Sequence, residues 1–347
     1  MANWMIDASK LDDEQLEVLD LSPDIPKIVK GCAGSGKTVL AVHNADKIKK
    51  KEQGTFYILV YTRALRTFID DGIIELGIPD TRVLYEWQWR RQGAPEADYL
   101  LIDESQDFSA ADIALFNKKA KKAVIFFGDT AQQVYPNKII YENNQRDLTV
   151  TIEQIKAITG FDIIQLPNNH RLPESVAKLA QCLLPKHEDI VSNCKKKGGD
   201  KPVLKKFNSP SEELDWIINM INNENLEDVG ILLPENVQVK LVYEYLEKKR
   251  LRAGVRYSEN HRVHESLNFT GDTPNIMPYH SSKGLQFETV FLPFCEDTIE
   301  NYSIIHLRKI LAAFLKRKAY HQNYFIPKDH LEQKDSVLAH LISLKNI

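Results

Sequence analysis

Three short stretches of this chain carry side chains able to handle a polyphosphate. The first, Gly31-Cys32-Ala33-Gly34-Ser35-Gly36-Lys37-Thr38, fits the pattern G-x-x-x-x-G-K-[ST] at every fixed position. Glycines let successive backbone N–H groups turn toward an anion without a Cβ in the way, which makes Gly34, Ser35 and Gly36 the expected cradle. Lys37 is placed to reach the β- and γ-phosphates, and Thr38 to offer its hydroxyl to Mg²⁺. The second stretch is Asp103-Glu104, which closes the apolar run Tyr99–Ile102. One carboxylate can hold a metal while its neighbour deprotonates an attacking water, so Asp103 is assigned to the metal and Glu104 to the general base. The third, Gly128-Asp129-Thr130-Ala131-Gln132, closes Ala123–Phe127. Its Gln132 is a candidate for contact with the γ-phosphate or the water. ATP and Mg²⁺ are the expected ligands.

Residues so far apart meet only if the elements between them form a parallel sheet, whose strands all present their carboxyl ends at one edge. The pattern meets that demand. Apolar strand candidates are Ile25–Val29, Phe56–Tyr61, Thr81–Tyr85, Tyr99–Ile102, Ala123–Phe127 and Ile163–Leu166. They alternate with helical periodicities at Asp12–Leu19, Thr38–Lys49, Ala64–Leu76, Ala110–Lys118 and Ile152–Thr159. Such alternation predicts an α/β fold with helices on both faces of a mostly parallel sheet. A second series follows: helices at Glu174–Leu184, Ser211–Asn222 and Asn236–Lys249, and strands at Pro202–Phe207, Val229–Leu233, Ile276–His280 and Thr289–Pro293. Two domains are expected, 1–166 and 167–347.

In their order these segments resemble the superfamily one helicases of the UvrD/Rep/PcrA group. Leu11-Asp12-Asp13-Glu14-Gln15 resembles the Q motif, which would make Gln15 the adenine reader. Val60-Tyr61-Thr62-Arg63-Ala64 is similar to motif Ia, which implies that Tyr61, Thr62 and Arg63 touch a single strand. Asp103-Glu104-Ser105-Gln106-Asp107 matches the D-E-x-Q-D of motif II, and Gly128–Gln132 the G-D-x-x-Q of motif III. Leu166-Pro167-Asn168-Asn169-His170-Arg171 resembles motif IV, with Arg171 as a γ-phosphate arginine. His280-Ser281-Ser282-Lys283-Gly284-Leu285-Gln286-Phe287 resembles motif V, which assigns His280 and Lys283 to nucleic acid and Gln286 to the ribose. The helix around Arg308–Ala319 lines up with motif VI and puts Arg317 on its catalytic arginine, although Lys316 and Lys318 depart from the family pattern. The resemblance implies two RecA-like phosphate-loop domains and an ATPase that acts on single-stranded DNA or RNA.

Two departures narrow this expectation. Only Glu86–Asp98 lies between the strand ending at Tyr85 and the motif II strand, and Arg171–His280 is equally short of family length. The chain therefore resembles a minimal core without the 1B and 2B insertions. After motif III it reads Gln133-Val134-Tyr135-Pro136, without the tryptophan that stacks on a base in the family. Tyr61, Tyr85, Trp87 and Trp89 are candidate substitutes for it, and Trp87 and Trp89 read equally well as packing residues under the sheet. Composition limits the partners further. A net charge of −3 over 347 residues gives no global basic field, so nucleic acid would need a local groove. Cys32, Cys182, Cys194 and Cys295 lack zinc or disulfide spacing, and no run reaches the ~18 apolar residues of a membrane helix. The expected setting is cytoplasmic. Two readings remain open: a translocase within a larger DNA-processing or anti-phage assembly, or an ATP-binding switch regulating a partner such as a nuclease.

Overall fold

The structure, a computed structural model, describes residues 6–294 apart from 33, 52–53, 62–65, 67–68, 70–71, 75, 131–138, 143–144, 182–188, 204, 206, 261, 270–272, 283–284 and 286; the side chains of 139–142, 145–147, 180 and 280 also lie outside it. The chain divides into two compact units, Ala2–His170 and Arg171–Ile347.

The first unit is built on six strands: β1 (Lys27–Gly31), β2 (Phe56–Val60), β3 (Val83–Tyr85), β4 (Ala97–Ile102), β5 (Ala120–Gly128) and β8 (Ile163–Leu166). They pair in parallel in the order β3-β2-β4-β5-β1-β8. Successive residues of a strand face opposite sides, and here both sides are covered. Tyr99 and Leu101 of β4 join Ile125 and Phe127 of β5 on one face, where helix α2 (Lys37–Lys50) contributes Leu40, Val42 and Ile48. Leu100 and Ile102 join Val124 and Phe126 on the other, under helices Ala110–Lys119 and Ile152–Thr159. Two-sided burial is the reason these strands read as continuous apolar runs. The strands β6 (Ile139–Glu142) and β7 (Gln145–Leu148) add an antiparallel hairpin.

Local signals fix the helix starts. Helix α1 (Asp13–Asp20) opens with a capping box between Asp12 and Gln15, and Thr151 and Ser109 cap their helices in the same way. The strand expected at Ile25–Val29 is shifted to Lys27–Gly31, because the Lys27 stem is buried while Ile25 is half exposed. The helix expected at Ala64–Leu76 is helical at residues 66, 69 and 72–74.

The second unit pairs β9 (Asn169–Pro173) with β10 (Cys194–Lys196). Its main sheet has five strands: β11 (Val229–Leu233), β12 (Gly254–Glu259), β13 (Arg262–Glu265), β14 (Asn275–Pro278) and β15 (Thr289–Phe291), in the order β13-β12-β14-β11-β15. All pairings are parallel except the edge hairpin β12–β13. Helices Pro210–Asn223 and Asn236–Lys248 bury Ile217, Val239 and Val242 against Ile231 and Ile276. The strand expected at Pro202–Phe207 does not form among its described residues. Phe207 instead turns into the core beside Trp216, whose ring also carries the Lys205 ammonium.

Candidate active site

The phosphate loop leaves β1 at Gly31 and becomes α2 at Lys37. Gly36 caps that helix at φ +89°, a left-handed conformation that favours glycine, and a Cβ there would lie 2.4 Å from the Gln15 amide nitrogen. No side chain among the described residues caps the N-terminus of α2. Its first N–H groups therefore form a ready site for anionic oxygens, reinforced by the helix dipole. Lys37 is buried and arches back over the loop, donating to the carbonyls of Gly31 (2.8 Å) and Cys32 (3.1 Å). Ser35 Oγ is buried with no hydrogen-bond partner among the described residues. An orphaned hydroxyl inside a glycine loop fits a polyphosphate, whose oxygens would satisfy it.

Two strands away, β4 delivers the acids. The Thr38 hydroxyl donates to Asp103 Oδ2 at 2.7 Å, so the two oxygen donors expected at a metal are already side by side. Hard oxygen donors of this kind suit Mg²⁺, which takes few protein ligands and completes its shell with phosphate and water. No group of three or more His, Cys, Asp or Glu is arranged as a metal cage among the described residues. Asp103 is fully buried; burial and then the Glu104 charge push its pKa up to about 6, against the opposing Thr38 hydroxyl and Lys37 charge. Added positive charge at this point would relieve the strain on the carboxylate.

Glu104 sits at φ 53°, ψ 42°, left-handed backbone that a glutamate seldom adopts. Gln106 orients it: its Nε2 donates to Glu104 Oε2, and its Oε1 accepts the Asp129 N–H (3.0 Å) at the exit of β5. One amide thus joins the second and third chemical stretches. The approach is close, for a Cβ on Gly128 would fall 2.5 Å from Ser105 Oγ and 2.8 Å from Gln106 Oε1.

The expected adenine reader, Gln15, is buried beside the loop. Its Oε1 accepts the Asp12 N–H (3.0 Å) and its Nε2 donates to the Ser35 carbonyl (2.8 Å). Of the expected strand contacts, Tyr61 follows β2 and packs edge-on against Phe108, at 5.4 Å between ring centroids. Trp89 is fully buried and donates to the Pro95 carbonyl, which makes it a packing residue. Trp87 is 40% exposed, stacked at 5.7 Å and 4° on Tyr85, with the Arg91 guanidinium over its ring. Arg171 lies on β9 at the start of the second unit, and His280 in a short turn at Tyr279–Ser282. Thr62, Arg63, Gln132, Lys283, Gln286 and Arg317 lie outside the described residues.

The family model of the viral superfamily 1 RNA helicase core domain matches residues 27–202, just over half of the chain. The chain belongs to the superfamily 1 helicases. The matched span covers the phosphate loop, the Asp103–Glu104 acids and the Arg171 segment of this helicase-like protein. Among solved structures it is similar to the C-terminal domain of a possible DNA helicase from Lactobacillus plantarum WCFS1, at 14% identity and a TM-score of 0.32, covering 45% of this chain and 85% of that one. A search of curated protein sequences gives no match. The helicase core carries with it nucleoside triphosphate use with a divalent metal and action on nucleic acid. No helix among the described residues is long and apolar enough to cross a membrane.

Sequence reasoning passed over two features of this site. Gln106 was only a fixed letter of motif II, yet it bridges to Asp129. Asp12, Asn168 and His170 form a cluster that spacing alone could not reveal.

Proposed function

We propose that this helicase-like chain hydrolyses ATP and couples the reaction to movement on single-stranded nucleic acid. The observation that carries this reading is the Thr38–Asp103 hydrogen bond beside Glu104, which brings the metal-side and base-side groups together at the mouth of the phosphate loop. In this reading Lys37 swings from the loop carbonyls onto the β- and γ-phosphates, and the N–H groups of α2 neutralise their oxygens. Bound Mg²⁺, held through Thr38 and Asp103, would supply positive charge to the phosphate oxygens. Glu104, oriented by Gln106, accepts the proton of the attacking water. Gln132 senses the γ-phosphate, and Arg171 and Arg317 stabilise its developing charge.

The exposed Trp87, stacked on the half-buried Tyr85 at the end of β3 with Arg91 over its ring, offers an aromatic platform with a cation for a flipped-out base. It takes the place of the tryptophan absent after motif III. The test is hydrolysis with and without single-stranded DNA or RNA. Wild type is expected to be stimulated by a strand, Lys37→Ala and Glu104→Gln to be inactive, and Trp87→Ala to bind strands about tenfold more weakly. Equal turnover with and without a strand would remove the motor.

The short link from β3 to β4, a single helix at Glu86–Arg91, supports a second reading. A first unit without an insertion there could serve as an ATP-driven subunit of a defence or DNA-processing assembly, switching a partner such as a nuclease. Unaided unwinding of tailed duplexes by the isolated chain would exclude it.

A further inference from the structure

The edge of the second unit's main sheet carries rings and charges that the nucleotide site does not use. Strand β13 is outermost; it pairs with β12, and Arg262, Val263, His264 and Glu265 are all exposed. The strand at the opposite edge, β15, is buried throughout. In the antiparallel register Tyr257 lies opposite His264, and Glu259 opposite Arg262. Directly opposed residues share a face, as do residues two apart on one strand, so these four side chains stand together. Theirs is the face on which helix Asn236–Lys248 lies, because Lys240 of that helix pairs with Glu259 at 2.8 Å.

The Tyr257 and His264 rings are stacked, with 4.6 Å between centroids and 11° between planes. Tyr257 packs against the core of the unit, while His264 is exposed. One face of the imidazole is therefore covered by the phenol ring and the other is open. A flat ring fixed on one side and open on the other is what a splayed base stacks on, whichever base it is. Arg262 follows two residues along the same strand face, about 7 Å away, within reach of a phosphate flanking a base on His264. The surroundings have the matching charge. From Lys248 to Glu265 there are six lysines and arginines against two acids, in a chain whose net charge is −3. Both acids are neutralised within the protein, Glu259 by Lys240 and Glu265 by Arg256 at 2.6 Å. Lys248, Arg250, Arg252 and Arg262 are exposed, which leaves positive charge for the phosphates of a strand.

We propose that the β12–β13 hairpin is a nucleic-acid contact, at which one base of a single strand stacks on His264 and a neighbouring phosphate is held by Arg262. This rests on the reading above that the chain acts on single strands, and it gives the second unit a contact of its own beside the Trp87 platform of the first.

The test is strand binding by the full chain without nucleotide, read as the anisotropy of labelled oligothymidylate and oligouridylate. His264→Ala is expected to bind about tenfold more weakly. His264→Phe keeps a stacking ring and is expected to stay within about twofold of wild type. Arg262→Ala is expected to lower the slope of log affinity against log salt by about 0.7, the loss of one phosphate contact. A 2-aminopurine in the oligothymidylate reads stacking directly. Its fluorescence is expected to be quenched by wild type and His264→Phe, and less by His264→Ala, which a ring pair that only stiffened the hairpin would not produce. Wild-type affinity in both His264→Ala and Arg262→Ala, or His264→Phe as weak as His264→Ala, would overturn the contact. If His264→Ala does not fold, the exposed Arg262 still decides through its salt slope. A wild type that binds no strand would sink the contact and the motor together. Weaker binding by His264→Ala, with no stimulation of wild-type hydrolysis by a strand, would sink the motor alone.

Discussion

At the carboxyl edge of the six-stranded sheet Asp103 and Glu104 are buried side by side, like charges with Lys37 held on backbone carbonyls nearby. At the amino edge the buried charge is positive and differently placed. Lys47, at the far end of α2, donates to the carbonyls of Leu19, Asp20 and Leu21, which closes the open end of α1. Lys27, at the start of β1, has the Ser22 carbonyl, and burial together with the Lys47 charge pushes its pKa down to about 8 despite Asp24. One edge meets the cost of its positive charge with bonds to backbone carbonyls in and just after α1. The other holds an unbalanced pair of acids, the condition expected where a cation and a polyphosphate are to complete the site.

The comparison breaks most readily at Asp103. Asp103→Asn is expected to lower Mg²⁺-dependent hydrolysis by at least about a hundredfold, read as kcat, while raising the melting temperature of the metal-free protein. The pH sign follows from the shift. With a pKa near 6 in the fold against an ordinary 3.8, the native state holds a proton that the unfolded chain has lost between those values. Stability from this group therefore grows as pH falls through 6 and is complete below 3.8. The asparagine variant lacks that slope, and an equal slope in both proteins would remove Asp103 as its source.

Next comes Lys47→Met, which strands three carbonyls at the end of α1. A loss of about 1–3 kcal/mol is expected in urea unfolding, with little change in hydrolysis. The smallest effect is expected at Lys27→Met, a slight gain in melting temperature at neutral pH. Because the folded pKa is depressed, wild type gains stability as pH rises from 8 toward 10.5, so the advantage of the methionine narrows over that window. A fall in stability at Lys27→Met would mean that the Ser22 bond matters more than the burial penalty.

Where one physical demand dominated, the sequence was readable. β11 has the bounds expected from its apolar run, because both of its faces are covered and periodicity has no competitor; the edge strand β8 has its expected bounds with only Leu166 buried. The hairpin β12–β13 escaped notice because an edge strand keeps polar side chains outward, and Arg262–Glu265 is exposed throughout. The false strand at Pro202–Phe207 had the right composition, but its aromatic end was taken up by Trp216. In the candidate site, the sequence patterns were enough to expect Thr38, Asp103 and Glu104 together, and the structure brings them side by side. The Asp12–Asn168–His170 cluster was hidden because Asp12 reads as an ordinary N-cap and Asn168 as an ordinary turn residue. Only folding brings β8 alongside α1 to join them.

Glu104 holds its carboxylate on left-handed backbone at φ 53°, where a side-chain-bearing residue costs about 1–3 kcal/mol. Glycine would occupy that position at ease and could accept no proton. A population of variants selected for heat resistance alone would thus be drawn toward glycine at 104, and with Glu104 as the base proposed above it would discard hydrolysis first. On that proposal, the left-handed backbone at this single residue sets durability against turnover.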